Sequence, residues 1–207
     1  MNLRIKGLVA LLMIGAMLSL VSCGAKEYTT VADDITKDST EYTEMERIAL
    51  KGERGSDRAD IGYCAVLIPN DYVASDEVEG MYVSALYPLD ASNIYYTIQD
   101  ASTVGYVNGE LTENTFKDAI EGGYRDLNDP VELTIDEFVR DNMEGIPCYK
   151  IRYHYTVSGQ ELQQLCYIIM AKETHVITYT QMDDDDLFAD FVHEDAAIRL
   201  VRERSQA

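Results

Sequence analysis

CYKIRYHYTV (148–157), QELQQLCYIIMA (160–171) and THVITYTQM (174–182) are three consecutive segments in which aromatic, β-branched and other apolar residues are concentrated. The pairs that separate them, Ser158-Gly159 and Lys172-Glu173, have the length of tight β-hairpin turns. The stretch therefore predicts a meander of three antiparallel strands, and the other predicted elements are arranged around it.

The two turns set which residues of the meander lie opposite one another. The predicted pairs are Ile151 with Cys166, Cys166 with Tyr179, and Ile168 with Ile177. One face then collects a nearly continuous apolar set, whereas the other face is apolar at its middle and polar at its edge, which is typical of a sheet covered on both sides. The set on the apolar face is Tyr149, Ile151, Tyr153, Tyr155, Leu162, Cys166, Ile168, Met170, Ile177 and Tyr179.

Further elements are predicted on both sides of the meander. Thr112 is a suitable N-cap for a helix that runs to about Asp126, because apolar residues recur there at helical spacing. A last helix is predicted to open at Asp183–Asp186, where acidic side chains favour a helix N-terminus. Upstream strands are predicted at about 61–68, 80–87, 94–98 and 131–135, and a short final extension at Ile198 and Leu200.

These segments carry a resemblance to a known fold. Residues 149–159, 164–169 and 176–180, followed by an acidic helix start and preceded by Ala65-Val-Leu-Ile-Pro69 and Gly145, resemble the PsbP-like fold. The resemblance implies an α+β domain, an α/β/α sandwich in which an antiparallel β-sheet is flanked by helices and the C-terminal meander is followed by a helix. That fold recurs in small bacterial lipoproteins of unknown function, and the resemblance supplies no catalytic residues.

The first 22 residues have the organisation of an export signal. Met1–Lys6 is short and positive, and Gly7–Leu20 is apolar throughout but shorter than the ~20 residues that a membrane span requires. The following Leu20-Val21-Ser22-Cys23 resembles the bacterial lipobox. The resemblance implies cleavage between Ser22 and Cys23, a diacylglyceryl thioether on Cys23 and a fatty acid such as palmitate at the new amino terminus.

The chain after the signal divides into two parts. Residues 23–47 are rich in Thr, Asp and Glu and poor in apolar residues, which predicts a lipid-anchored, acidic and flexible tether. Residues 48–207 are predicted to form a single α+β domain. The expected location is the extracytoplasmic face of the cell membrane, with the membrane itself as a partner through the anchor at Cys23.

The charge of the chain excludes some partners. The formal net charge is −20, and the signal contributes only Arg4 and Lys6, so 15 basic and 37 acidic residues remain in the mature part. Such a surface opposes nucleic-acid binding, which depends on Lys and Arg. It suits a cationic or protein partner, although a charged surface is most often simply a solvated one.

Few residues indicate a catalytic, metal-binding or ligand-binding site. His154, His175 and His193 lack metal-ligand spacing, the predicted register puts the first two on opposite faces, and neither a nucleophile elbow nor a cofactor motif is present. No metal or cofactor is therefore expected. The candidate ligand-binding residues are Tyr149, Tyr153, Tyr155 and Tyr179, whose alternative role is in the core.

The cysteines that remain after lipidation are odd in number. Cys64, Cys148 and Cys166 cannot all pair, and buried free thiols are favoured over one bridge plus one thiol. The register excludes a bond between Cys148 and Cys166, because the two residues lie on opposite faces. Taken together, these features predict a non-catalytic binding or accessory module of the cell envelope. The alternative is a surface enzyme, a hydrolase with an unrecognised active site.

Overall fold

The structure, a computed structural model, describes residues 42–44, 61–69, 71–100, 111–143, 145–171, 173–182 and 198–202. These ranges contain one helix, α1 (Glu113–Asp126). The strands are β1 (Tyr42–Glu44), β2 (Ile61–Pro69), β3 (Tyr72–Ala74), β4 (Met81–Ser84), β5 (Asn93–Asp100), β6 (Thr134–Met143), β7 (Ile146–Val157), β8 (Gln160–Met170), β9 (Glu173–Met182) and β10 (Ile198–Arg202).

The strands form two antiparallel sheets. The large sheet has seven strands in the order β3-β4-β5-β9-β8-β7-β6, so the predicted meander β7-β8-β9 lies near its centre. The small sheet has the order β1-β2-β10. The described part of the chain is thus mostly antiparallel β-structure with one helix.

The large sheet is apolar on both faces, as the sequence predicts. Its first face packs against α1, whose buried residues Phe116, Ile120 and Tyr124 belong to the same core cluster as Ile151 and Tyr153. Its second face packs against the small sheet, and that core contains Cys64, Val66, Ile198 and Leu200 together with residues from β5, β7, β8 and β9. A helix and a sheet therefore enclose the large sheet.

Only one of the two helical layers of the predicted sandwich lies among the described residues. A helix was expected on each face, but in the described ranges the second face is covered by β2 and β10. The two strands are far apart in sequence, and β10 pairs along the length of β2 from Ile198–Val66 onward. The predicted C-terminal helix at 183 lies outside the described residues.

Helix α1 forms where the sequence predicts it. The Thr112 hydroxyl accepts a hydrogen bond from the Thr115 backbone at 3.2 Å, and the Thr115 hydroxyl accepts one from the Thr112 backbone at 2.8 Å. This reciprocal cap satisfies two backbone donors that the first turn leaves without helical partners. The helix thereby places its apolar stripe on the large sheet.

The first hairpin has the predicted register. Val157 pairs with Gln160, which leaves a two-residue turn, and Ile151 lies opposite Cys166. Ser158 and Gly159 both have positive φ angles, 51° and 83°. Positive φ at both central residues is the requirement of a type I′ turn, which glycine meets without strain.

The second hairpin differs from the prediction by one residue. Met170 pairs with Thr174, so three residues rather than two separate the paired positions, and Cys166 lies opposite Thr178 instead of Tyr179. A two-residue turn at Lys172-Glu173 would require positive φ at residues that disfavour it. The shift moves Ile177 and Tyr179 to the second face of the sheet.

Strand β1 lies within the range 23–47 that was predicted as a tether. Tyr42 pairs with Pro69 and Glu44 with Leu67, so backbone pairing begins before the domain boundary predicted at residue 48. The remaining residues of that range lie outside the described part of the chain, as does the signal. No helix among the described residues has the length and apolar character that a membrane span requires.

Candidate functional site

The four candidate tyrosines are all buried, and they do not form one group. Tyr149, Tyr153 and Tyr155 lie on the first face of the large sheet, beneath α1, with at most 2% of their surface exposed. Tyr179 lies in the core on the second face and has no exposed surface. The burial favours the interpretation of these rings as core residues rather than as an accessible aromatic wall.

Two tyrosines on the first face belong to a buried chain of hydrogen bonds. The Tyr155 hydroxyl donates to Gln164 Oε1 at 3.2 Å, so it accepts from the Tyr124 hydroxyl at 2.9 Å. Gln164 Nε2 in turn donates to Thr180 Oγ1 at 2.9 Å. Burial raises the pKa of Tyr124 to about 12 and that of Tyr155 well above its usual value, so both hydroxyls stay protonated. The chain connects α1 to three strands.

Tyr153 has a different environment although it lies two residues away. Its ring meets Phe116 edge to face, with the ring centroids 5.2 Å apart. Its hydroxyl is buried and has no hydrogen-bond partner among the residues that the structure describes. Desolvation raises the pKa of this hydroxyl well above its usual range. The ring therefore acts through packing.

A second polar group lies between the two sheets. The Tyr96 hydroxyl of β5 accepts a hydrogen bond from the Cys64 backbone N–H of β2 at 2.9 Å. The same hydroxyl lies 2.9 Å from Nδ1 of His175 on β9, and the Tyr96 and His175 rings are stacked. Which of the two atoms carries the proton of this hydrogen bond depends on the tautomer of neutral His175. Nε2 is buried, and within the described part of the chain it has no hydrogen-bond partner.

Burial shifts the pKa values of the histidine and of two cysteines so that their side chains stay in the neutral, less reactive form. Desolvation lowers the pKa of His175 to about 4, so the ring is neutral near neutral pH. Desolvation raises the pKa of Cys64 and of Cys166 to about 12, which keeps both thiols protonated and poorly nucleophilic. Cys64, Cys148 and Cys166 are buried and form no disulfide, as the sequence predicts.

Sequence reasoning missed the group of Cys64, Tyr96 and His175 because of the second hairpin. The predicted register turned His175 toward α1 and away from the small sheet. Two-residue hairpin turns favour glycine or asparagine, and Lys172-Glu173 contains neither. That feature of the sequence could have indicated a three-residue connection. His154 and His175 also share the second face, contrary to the prediction, but six residues of β7, or roughly 20 Å, separate their positions.

One histidine pair is partly exposed. His154 Nδ1 lies 2.9 Å from Asp136 Oδ2, and the two side chains are 37% and 32% exposed. Asp136 lies at an irregularity in the pairing of β6, between Ile135 and Glu137, which brings it beside His154. Among the described residues no Ser or Cys side chain forms a hydrogen bond with His154, so the pair lacks the nucleophile of a hydrolytic triad.

The remaining predicted site residues lie outside the described ranges. Ser22 and Cys23, the predicted cleavage and lipidation residues, belong to this group, as does Asp183–Asp186. Within the described ranges, no three His, Cys, Asp or Glu side chains are grouped so as to hold a metal ion.

Comparison with known proteins gives weak structural likenesses. No family model matches the sequence, and no curated protein matches it. The solution structure of cyanobacterial PsbP (CyanoP) from Synechocystis is 14% identical, with a TM-score of 0.49, and the match covers 72% of this chain and 96% of that one. A protein of unknown function from Pseudomonas aeruginosa is 12% identical, with a TM-score of 0.41, over 68% of this chain and 92% of that one.

Proposed function

We propose that this protein is a lipoprotein held at the extracytoplasmic face of the cell membrane, and that its α+β domain is a non-catalytic binding or accessory module of PsbP-like type. The anchor is Cys23, which follows an apolar segment and a small residue in the lipobox pattern. The acidic surface of the mature chain suits a cationic or protein partner and disfavours nucleic acid.

The burial of the nucleophilic groups supports the non-catalytic part of the proposal. Cys64 and Cys166 lie in the two cores with no exposed surface, and the pKa of each thiol is raised to about 12. His175 is equally buried and holds its Nδ1 toward Tyr96. These two thiols and this imidazole are thus kept from substrate, which suits a domain that acts through its surface.

Metabolic labelling tests the anchor. Cells that express the full chain are grown with a labelled fatty acid, and the wild type is compared with Cys23→Ala and Ser22→Ala. The wild type and Ser22→Ala should be labelled, because alanine keeps a small residue at the cut. Cys23→Ala should carry no label, since its side chain offers no thiol for diacylglycerol. Equal labelling of Cys23→Ala and the wild type would refute anchoring at Cys23.

A surface hydrolase is the alternative function, and the His154–Asp136 pair is the observation that favours it. The pair is accessible, and a histidine oriented by a carboxylate is a component of hydrolytic sites. The two functions are distinguished by turnover of a chromogenic ester with the full chain and with His154→Gln. The proposal expects the same background rate from both proteins. Turnover by the wild type that His154→Gln abolishes would establish the hydrolase.

A further inference from the structure

The β4–β5 loop exposes apolar side chains at one end of the molecule. Leu89 is 87% exposed and Leu86 is 42% exposed. Val73, on the edge strand β3 beside this loop, is 51% exposed. Residues 80–89 contain no charged side chain in a chain that is 26% charged. Exposed apolar side chains grouped in one loop and on the strand beside it suit an interaction surface.

Every backbone N–H group of the loop donates a hydrogen bond within the protein. The Ala85 N–H donates to Asp71 O at 2.6 Å, and the Leu86 and Tyr87 N–H groups donate to the Ser84 Oγ and O at 3.2 and 3.0 Å. The Leu89 and Asp90 N–H groups both donate to Leu86 O, at 2.8 and 3.4 Å, and Pro88 has no N–H. No N–H group from 85 to 90 therefore depends on water.

Paired N–H groups matter in a medium that lacks water. Exposed loops ordinarily leave some N–H groups to the solvent, and such groups are costly to transfer into lipid. This loop can enter the interfacial region of a bilayer without leaving a backbone donor unpaired. Its Tyr87 is only partly exposed, and tyrosine is a residue that favours the membrane interface.

The position of β1 places this loop on the side of the predicted anchor. Tyr42, the residue of β1 nearest to Cys23 in sequence, pairs with Pro69 at the end of β2. Asp71 lies two residues further along the chain, and its carbonyl oxygen accepts a hydrogen bond from the Ala85 N–H at the start of the loop. A tether of the predicted kind between Cys23 and Tyr42 has a mean reach of roughly 25 Å. The tether therefore joins the domain at the end that bears Leu86 and Leu89.

From this juxtaposition we propose that the loop 85–90 is a membrane contact: Leu86 and Leu89 insert into the interface of the bilayer that carries the anchor and fix the orientation of the domain. The inference rests on the proposed anchoring at Cys23. The occupant is lipid rather than a second protein, because exposed leucines and paired N–H groups lie together at the anchored end. The one charged side chain of the loop, Asp90, is held back by the Ser92 N–H, which donates to its carboxylate at 2.9 Å.

Single-tryptophan variants test the contact, since the chain contains no tryptophan. Leu89→Trp reports on the loop, and Val139→Trp is the matched control on β6, the opposite edge of the large sheet, where the side chain is 38% exposed. Both lipidated full-length proteins are reconstituted into phosphatidylcholine vesicles with and without brominated acyl chains. We expect a blue shift and quenching for Leu89→Trp and neither for Val139→Trp.

Other outcomes would overturn the inference in distinguishable ways. If both variants float with the vesicles but neither is quenched, the anchor stands and the loop contact is wrong. If neither variant floats with the vesicles, the anchoring fails and the inference fails with it. If Leu89→Trp shifts to the blue without vesicles and in proportion to protein concentration, the loop binds a second copy of the chain instead of lipid.

Discussion

Tyr153 and Tyr155 lie two positions apart on β7 and point into the same core, yet their hydroxyl groups have opposite roles. The Tyr155 hydroxyl accepts from Tyr124 and donates to Gln164, whereas the Tyr153 hydroxyl is buried without a partner. A buried hydroxyl that lacks a partner costs free energy, and one that bridges two groups leaves both unsatisfied when it is removed.

Tyr155→Phe and Tyr153→Phe should therefore change the free energy of unfolding by different amounts or in opposite directions. Tyr155→Phe should lower the free energy of unfolding by about 1–3 kcal/mol, since it strands Tyr124 and Gln164 in the core. Tyr153→Phe should leave stability unchanged or raise it. Urea unfolding of both variants and the wild type measures the difference. Equal losses in the two variants would contradict the assigned hydrogen bonds.

His175 makes stability dependent on pH. Its pKa is lowered by burial from 6.5 to about 4, so the folded protein binds this proton less readily than the unfolded chain does. The corresponding stability is complete above pH 6.5 and is lost as the pH falls from 6.5 toward about 4. The free energy of unfolding falls by about 3 kcal/mol over this range, because each unit by which the pKa is lowered corresponds to about 1.36 kcal/mol.

Unfolding in urea at a series of pH values from neutral down to about 4 checks this contribution. His175→Asn keeps a side chain that can form a hydrogen bond with the Tyr96 hydroxyl and removes the titrating ring, so its stability should decline less steeply than that of the wild type in this window. A wild-type slope in His175→Asn would show that another group is responsible.

At the scale of single elements, local chemistry determined which predictions succeeded. The Thr112 cap and the Ser158-Gly159 turn were read correctly because each depends on residue types with a specific backbone role. The second hairpin was placed one residue off because Lys172-Glu173 has a turn's length but lacks its chemistry. That single error exchanged the faces of Ile177 and Tyr179 and concealed the group around His175.

The first hairpin provides a test of backbone strain without steric overlap. Gly159 has a φ of 83°, and a Cβ atom at this position would meet nothing within 4 Å. Gly159→Ala should therefore lower the free energy of unfolding by roughly 1–2 kcal/mol through the left-handed conformation alone. Ser158→Asn should cost little, since asparagine tolerates positive φ. Thermal and urea unfolding compare the two variants, and a neutral Gly159→Ala would contradict the type I′ turn.

At the scale of the whole molecule, the sequence predicted that both faces of the sheet are covered, but not by what. Apolar residues alternate along β7 and β8, and this local pattern can be recognised from the sequence alone. The cover formed by β2 and β10 depends on pairing between Val66 and Ile198, which are distant in sequence and leave no local pattern. For the same reason β1 was assigned to the tether, since three residues without periodicity gain their strand structure only from pairing with β2.

Limited proteolysis of the lipidated full-length protein on vesicles tests where the folded unit begins. Because β1 pairs with β2, a non-specific protease should cut first between residues 24 and 41 and release a fragment that retains Tyr42–Glu44. Mass spectrometry of the released material gives its amino terminus. Thr43→Pro is the matched control: proline disfavours a paired strand, so the first stable terminus should move beyond residue 44. If the wild-type fragment instead begins near residue 48, β1 does not protect the chain. The anchor would then join the domain elsewhere, and the orientation that brings Leu86 and Leu89 to the membrane would lose its structural basis.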